Sequence, residues 1–220
     1  MNRAIISQRI TSILGEVSRL TNALYAMNMA DIQRYPENYE VLSMDAALRA
    51  EQIACRLRHL IYSTTNIRKT EYLTSAGVLL EIHVQCTDEI VEVTLPSLLP
   101  KRKQRQSGEY LLDPLYNALS RFAQEHPLPR FSHCVVCFSH IYCRELADRR
   151  IRDYDNLELK QFLDVVAPFV MVDDTGLLCD AYNTTELGDA DCTCISIMDS
   201  SRFAIWLAER EKALKAISDF

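Results

Sequence analysis

The sequence predicts an α+β fold, a mixed β-sheet with flanking helices preceded by an N-terminal antiparallel helical hairpin, and three observations carry that reading. A heptad rhythm runs through the N-terminal region, strand-like alternation replaces it near Gly77, and strands and helices then alternate to the end. With 220 residues and 48% apolar content the chain can bury a substantial core, as one domain of ordinary size or one domain plus an appendage. We divide it into a hairpin prefix at 1–75 and an α+β domain at 76–220.

The apolar residues Ile6, Ile10, Ile13, Val17, Leu20, Leu24 and Met27 alternate steps of four and three, the seam of a packed helix. The stretch 34–38, with Pro36, breaks that helix. A second seam through Ala46, Ala50, Ile53, Leu57 and Leu60 then returns antiparallel on the first. Its residue types suit packing or dimerisation rather than catalysis. Near Gly77 the period becomes two. Val78, Leu80, Ile82 and Val84 share one face, 86–88 turn, and Val91, Val93 and Leu95 alternate back as a β-hairpin. Pro96 and Pro100 end it and lead into a basic loop at 101–105. Asp113 reads as an N-cap and Pro114 as the first residue of a helix through Leu115, Leu119 and Phe122, closed by Pro127 and Pro129. Residues 131–143 read as a long strand, 144–152 as a charged connection and 157–166 as a helix. Two strands at 176–182 and 192–198, joined by a polar loop containing Gly188, and a helix at 200–217 complete the chain.

Composition narrows the function classes. Eight cysteines are scattered through a chain too long for a disulfide scaffold, and Arg3, Gln8 and Arg9 interrupt what would be a signal-peptide core. Reduced thiols and a cytoplasmic location are therefore expected. The longest apolar run, 165–172, contains Pro168 and falls short of the roughly 18 residues a membrane span needs, so no membrane association is expected. With five glycines there is no phosphate-cradling loop, which sets aside transferases that hold a donor nucleotide and any bound small-molecule cofactor. The net charge of −6 speaks against a nucleic-acid coat protein. Between 101 and 152, however, the balance reverses, with Lys101, Arg102, Lys103, Arg105, Arg121, Arg130, Arg144, Arg149, Arg150 and Arg152 outnumbering the acidic residues.

The acidic residues that follow carry the chemistry. Asp153 and Asp155 stand two apart, so on extended backbone both side chains point the same way. The pair Asp173-Asp174 comes after the intervening helix, and a crossover can return it beside the first pair. Mg²⁺, with Mn²⁺ as a substitute, takes such hard oxygen ligands. A cation so held polarises a phosphodiester and lowers the pKa of bound water. Lys160, on the following helix, suits stabilisation of charge growing on the phosphate. The structural alternative is a helix cap from Asp155 or Asn156 and a plain turn at 173–176. The basic loop with Lys101, Arg102, Lys103 and Arg105 suits tracking of DNA phosphates, with Tyr110 or Tyr116 stacking on a base, and Arg149, Arg150 and Arg152 extend the basic surface to the acidic motif. Cys134 and Cys137 have the spacing of a zinc knuckle, but residues three apart on a strand point to opposite faces, so buried thiols are expected instead.

Arg152-Asp153-Tyr154-Asp155-Asn156, then Lys160, Leu163-Asp164 and Val172-Asp173-Asp174, resembles the signature of the RusA family of Holliday-junction resolvases. The strand ending in Pro96, the basic loop and the helix opening after Tyr110-Leu111-Leu112-Asp113-Pro114 are similar to that family's N-terminal half. The likeness covers roughly 89–198. It implies a Mg²⁺-dependent homodimeric endonuclease cutting branched DNA, with Asp153, Asp155 and Asp174, accompanied by Asp173, at the metal and Lys160 as the matching lysine. One more residue separates Asp155 from Lys160 than in the family's usual pattern, a rotation of about 100° if both lie on one helix. The rival reading is a catalytically inactive RusA-like-fold interaction or DNA-binding protein that uses the helical hairpin to bind a partner or a second copy.

Overall fold

A computed structural model describes residues 3–102, 109–146 and 151–218. The chain divides into two compact units, Met1–Tyr72 and Leu73–Phe220.

The first unit is a helical hairpin of α1 (Arg3–Met29) and α2 (Pro36–Thr64). Asp31 Oδ1 accepts the N–H groups of Gln33 and Arg34 at 3.1 and 3.0 Å and closes the connecting turn. Pro36 then starts α2 at a position where its missing N–H costs nothing. Arg9 donates to Ser63, Arg56 donates to Ser12, and Arg49 pairs with Glu16, so residue numbers fall on one helix as they rise on the other. The helices are antiparallel. Ile13, Ala23, Ala46 and Ile53 are the buried residues of the seam.

The second unit is a mixed five-stranded sheet with helices on both faces. Its strands are β1 (His83–Thr87), β2 (Ile90–Leu95), β3 (Cys134–Cys143), β4 (Cys179–Gly188) and β5 (Cys192–Asp199). The spatial order is β1-β2-β5-β3-β4, antiparallel throughout except for parallel β3 and β4. Parallel neighbours need a crossover, and α5 (Lys160–Val170) lies within it. The main core lies on the face that carries Val91, Val93, Leu95, Val136, Phe138, Ile195 and Ile197. It packs there against Leu111, Leu115 and Leu119 of α4 (Glu109–Glu125) and Phe162, Val166 and Val170 of α5. Each large side chain so buried contributes about 1.5–3 kcal/mol. On the opposite face Ile90, Val135, Cys137 and Met198 pack with Phe203 and Trp206 of α6 (Phe203–Ser218), and Arg210 pairs with Glu186 to tie α6 to β4.

Four expectations need correction. The strand expected from Gly77 is instead the tail of α3 (Lys69–Leu79), and β1 starts only at His83. Ile82 N–H donates to Gly77 O and Glu81 N–H to Val78 O, both at 3.0 Å, with Glu81 left-handed at φ 54°. That is a Schellman ending, whose buried Ile82 imitates strand alternation. The helix expected to start at Pro114 runs through it, because Leu111, Leu115 and Leu119 form one fully buried row. Phe131 lies outside β3 and bridges to Met171 instead. Residues 175–178 form a turn rather than a strand, and β4 continues to Gly188 through what read as a polar loop. As an edge strand β4 accommodates polar residues: Thr184 donates to Ser139 at 3.1 Å, and a Cβ on Gly188 would lie 2.6 Å from Ile141 Cγ2.

The β1–β2 turn gives a direct stability test. Asp88 and Glu89 both have positive φ, at 51° and 61°, the geometry of a two-residue hairpin turn that favours Asn-Gly. Left-handed backbone costs a non-glycine residue roughly 1 kcal/mol. Glu89→Gly and Glu81→Gly should therefore each raise the stability measured by urea unfolding by about 0.5–1 kcal/mol, and a loss at either position would contradict the assigned backbone.

Candidate functional site

The site is built where the chain leaves β3. Tyr142, fully buried at the end of that strand, accepts the Arg152 N–H on its hydroxyl at 3.1 Å. The Arg152 guanidinium donates to Leu99 O at 3.0 Å, so this residue fastens the segment before β3 to the segment after it. A 3-10 turn, Tyr154–Asn156, follows and projects Asp153 and Asp155 on either side of Tyr154, both exposed. The Tyr154 ring lies 5.7 Å from that of His140, and its hydroxyl is 3.0 Å from Thr185 Oγ1. Neither aspartate is used as a helix cap. Asp153 makes no side-chain bond to the turn, and the residue preceding α5 is Leu159, again without a side-chain cap.

The basic segment is held against this turn. Glu158 N–H donates to Pro100 O at 2.9 Å, and Lys101 forms an antiparallel bridge with Leu157. Lys101 and Arg102 are exposed there. Lys103, Arg105, Arg149 and Arg150 lie outside the described residues. The chain between the 3-10 turn and Lys160 is not α-helical, so the extra residue after Asp155 falls before the helix and the expected rotation of the lysine does not apply.

Lys160 opens α5 and reaches Asp164 one turn on, its Nζ 2.9 Å from Oδ1 and 3.2 Å from Oδ2. That hydrogen bond and the Asp164 charge, with smaller contributions from Asp174 and Glu158, hold the ammonium pKa above its ordinary value. Asp173 accepts the Thr175 N–H at 3.1 Å and so shapes the turn before β4. Asp164, Asp173 and Asp174 line an open concavity of about 280 Å³ together with Arg130. The structure thus sets the carboxylates in two places, the 3-10 turn and the rim of this concavity. Among the described residues no three His, Cys, Asp or Glu side chains are gathered as a metal-ligand set, so the donor set expected for Mg²⁺ is not assembled in this arrangement.

Two buried groups escaped the sequence reading. Glu158, only 2% exposed, sits between the acidic turn and α5 and accepts the Gln161 N–H at 3.4 Å, whereas its sequence context reads as one face of an amphipathic helix. His140 is fully buried under Tyr154, with Nε2 3.4 Å from Asn183 Oδ1 and no partner on Nδ1 among the described residues. Burial pushes its pKa below the usual value, opposed by Asn183. The folded state therefore favours neutral imidazole. Its contribution is fully present above the unfolded value of about 6.5 and is lost as pH falls below it. Between pH 7 and 5 the wild-type chain should lose more stability than His140→Gln. Equal acid sensitivity of the two proteins would refute this role.

The cysteines hold no rival metal site among the described residues. All eight are free, and Cys134 and Cys137 belong to the cores on opposite faces of the sheet. No described helix is long and apolar enough to cross a membrane. No curated protein matches the sequence. Residues 2–220 match the model of DUF6100, a family of unknown function, and the chain belongs to that family.

Proposed function

We propose that this chain is a divergent RusA-like endodeoxyribonuclease that acts on branched DNA as a homodimer and depends on Mg²⁺ or Mn²⁺. One observation carries the reading: main-chain contacts at Pro100, Lys101, Leu157 and Glu158 hold the start of the basic segment against the turn bearing Asp153 and Asp155. A nuclease needs cations for the phosphate backbone beside oxygens for the reacting phosphate, and this junction supplies both. Lys101 and Arg102 are the described cations for DNA. Arg152 serves through its bond to Leu99, as a residue that positions the acidic turn. Lys160, exposed and charged, is available to an incoming phosphate once it exchanges Asp164 for it. Asp153, Asp155 and Asp174 are the carboxylates offered to the cation.

The dispersed carboxylates favour a second reading, a RusA-like-fold protein that binds DNA or a partner without cutting. A labelled four-way junction incubated with the chain and Mg²⁺ separates them. The nuclease reading expects paired nicks at the branch point, absent with chelator and absent on a linear duplex. Tight junction binding with no nicks in Mg²⁺ or Mn²⁺ leaves the second reading.

A further inference from the structure

The helical hairpin carries an apolar face that its own two helices leave open. Ile13, Ala23 and the half-buried Ile6, Leu20 and Met27 of α1 turn toward α2. A second row, Ile10, Leu14, Val17 and Leu24, remains 39–59% exposed. At 100° per residue this row lies about a quarter-turn from the first, so the heptad pattern of α1 is twice as wide as one partner helix can cover. On α2, which runs the other way, the row on the same side of the pair is Ala47, Ala50 and Ala54, also open or half-open. The open face thus carries a row of large apolar residues on α1 beside a row of small ones on α2.

We infer that a second copy of this chain occupies that face, giving an antiparallel four-helix bundle with Val17 near the axis and Ile10 of each protomer beside Leu24 of its partner. Two features select this occupant. The first is charge. The open end of the hairpin carries Arg3, Arg9, Arg56 and Arg58 against Glu16 and Glu51, whereas the turn end carries Asp31, Glu37, Glu40 and Asp45 against Arg19, Arg34 and Arg49. Antiparallel pairing sets the basic end of each copy against the acidic end of the other, and parallel pairing sets like against like. The second is area. A helix of 27 residues is about 40 Å long, and two helices side by side are about 20 Å wide, so the face measures about 800 Å² per copy, the standard for a stable interface. The inference rests on the hairpin alone and stands whether or not the second unit cuts DNA.

Sedimentation of the full chain across a concentration series tests it. The wild-type chain should reach twice its 25.2 kDa mass in the micromolar range. Leu14→Glu/Leu24→Glu should remain at the single-chain mass with its helical circular dichroism intact, and Leu14→Ser/Leu24→Ser serves if the charged pair unfolds. Glu37→Lys/Glu40→Lys should weaken the dimer by roughly tenfold or more, since it sets positive charge against the basic end of the partner. A wild-type chain that stays at the single-chain mass overturns the inference and leaves a different protein as occupant. A dimer that survives the Leu14/Leu24 substitutions, or one tightened by the lysines, overturns it equally.

Discussion

Junction cleavage should fall by about a thousandfold or more in Asp155→Asn, and by a similar factor in Asp153→Asn and Asp174→Asn, while junction binding persists. Amide for carboxylate keeps size and shape but removes the charge that draws a divalent cation. The structure makes these substitutions clean. Asp153 and Asp155 are exposed on a short turn, and Asp153 makes no side-chain cap bond to it. Urea unfolding of each variant should therefore match wild type within about 0.5 kcal/mol, the usual range for surface positions. Asp173→Asn is the internal control, because Asp173 accepts the Thr175 N–H in the turn and an amide oxygen can do the same. It should cleave far better than the other three. Equal activity of wild type and a triple Asp153, Asp155, Asp174→Asn chain would refute the nuclease assignment.

The largest stability effect is expected at Phe162. This residue, with Val166 and Val170, forms the fully buried row of α5 that seats the helix on the sheet. Phe162→Ala removes most of an aromatic side chain from a close-packed site and should cost about 3–5 kcal/mol, against a total of about 5–15 kcal/mol for an ordinary domain. Lys160 and Asp164 stand on the same helix, so loosening it should also weaken whatever the site binds. Unfolding monitored by circular dichroism gives the number. A loss under about 1 kcal/mol would mean that α5 is not seated as described.

The hairpin was legible because heptad spacing over two long helices has no strand counterpart. Its exposed second row was written in the same heptads, since Ile10, Val17 and Leu24 belong to the seam as read, but only the structure shows which half α2 covers. Gly77 misled because Schellman endings bury an apolar residue just past the helix, and Leu80 and Ile82 then alternate like a strand. Pro114 misled because a buried leucine row outweighed the preference of proline for a first turn. β4 was cut short because polar residues at a sheet edge look like loop.

At the site, the Asp-x-Asp spacing, Lys160 and the basic segment could be seen in the sequence, and their mutual placement could not. No spacing rule says that Glu158 N–H will find Pro100 O, or that Arg152 will be spent on a carbonyl rather than on phosphate. Glu158 and His140 were missed for a related reason. A single buried polar residue has no periodic signature, and its burial depends on strands distant in sequence.

The proposed cleavage requires the acidic turn and Asp174, which stand apart in the arrangement described, to close on one divalent cation. Calorimetric titration of the purified chain with Mn²⁺ tests it most directly. Saturable binding is expected, lost in both Asp155→Asn and Asp174→Asn, since the proposal has the two residues share the ion. Absence of binding, or binding that survives either substitution, would contradict it.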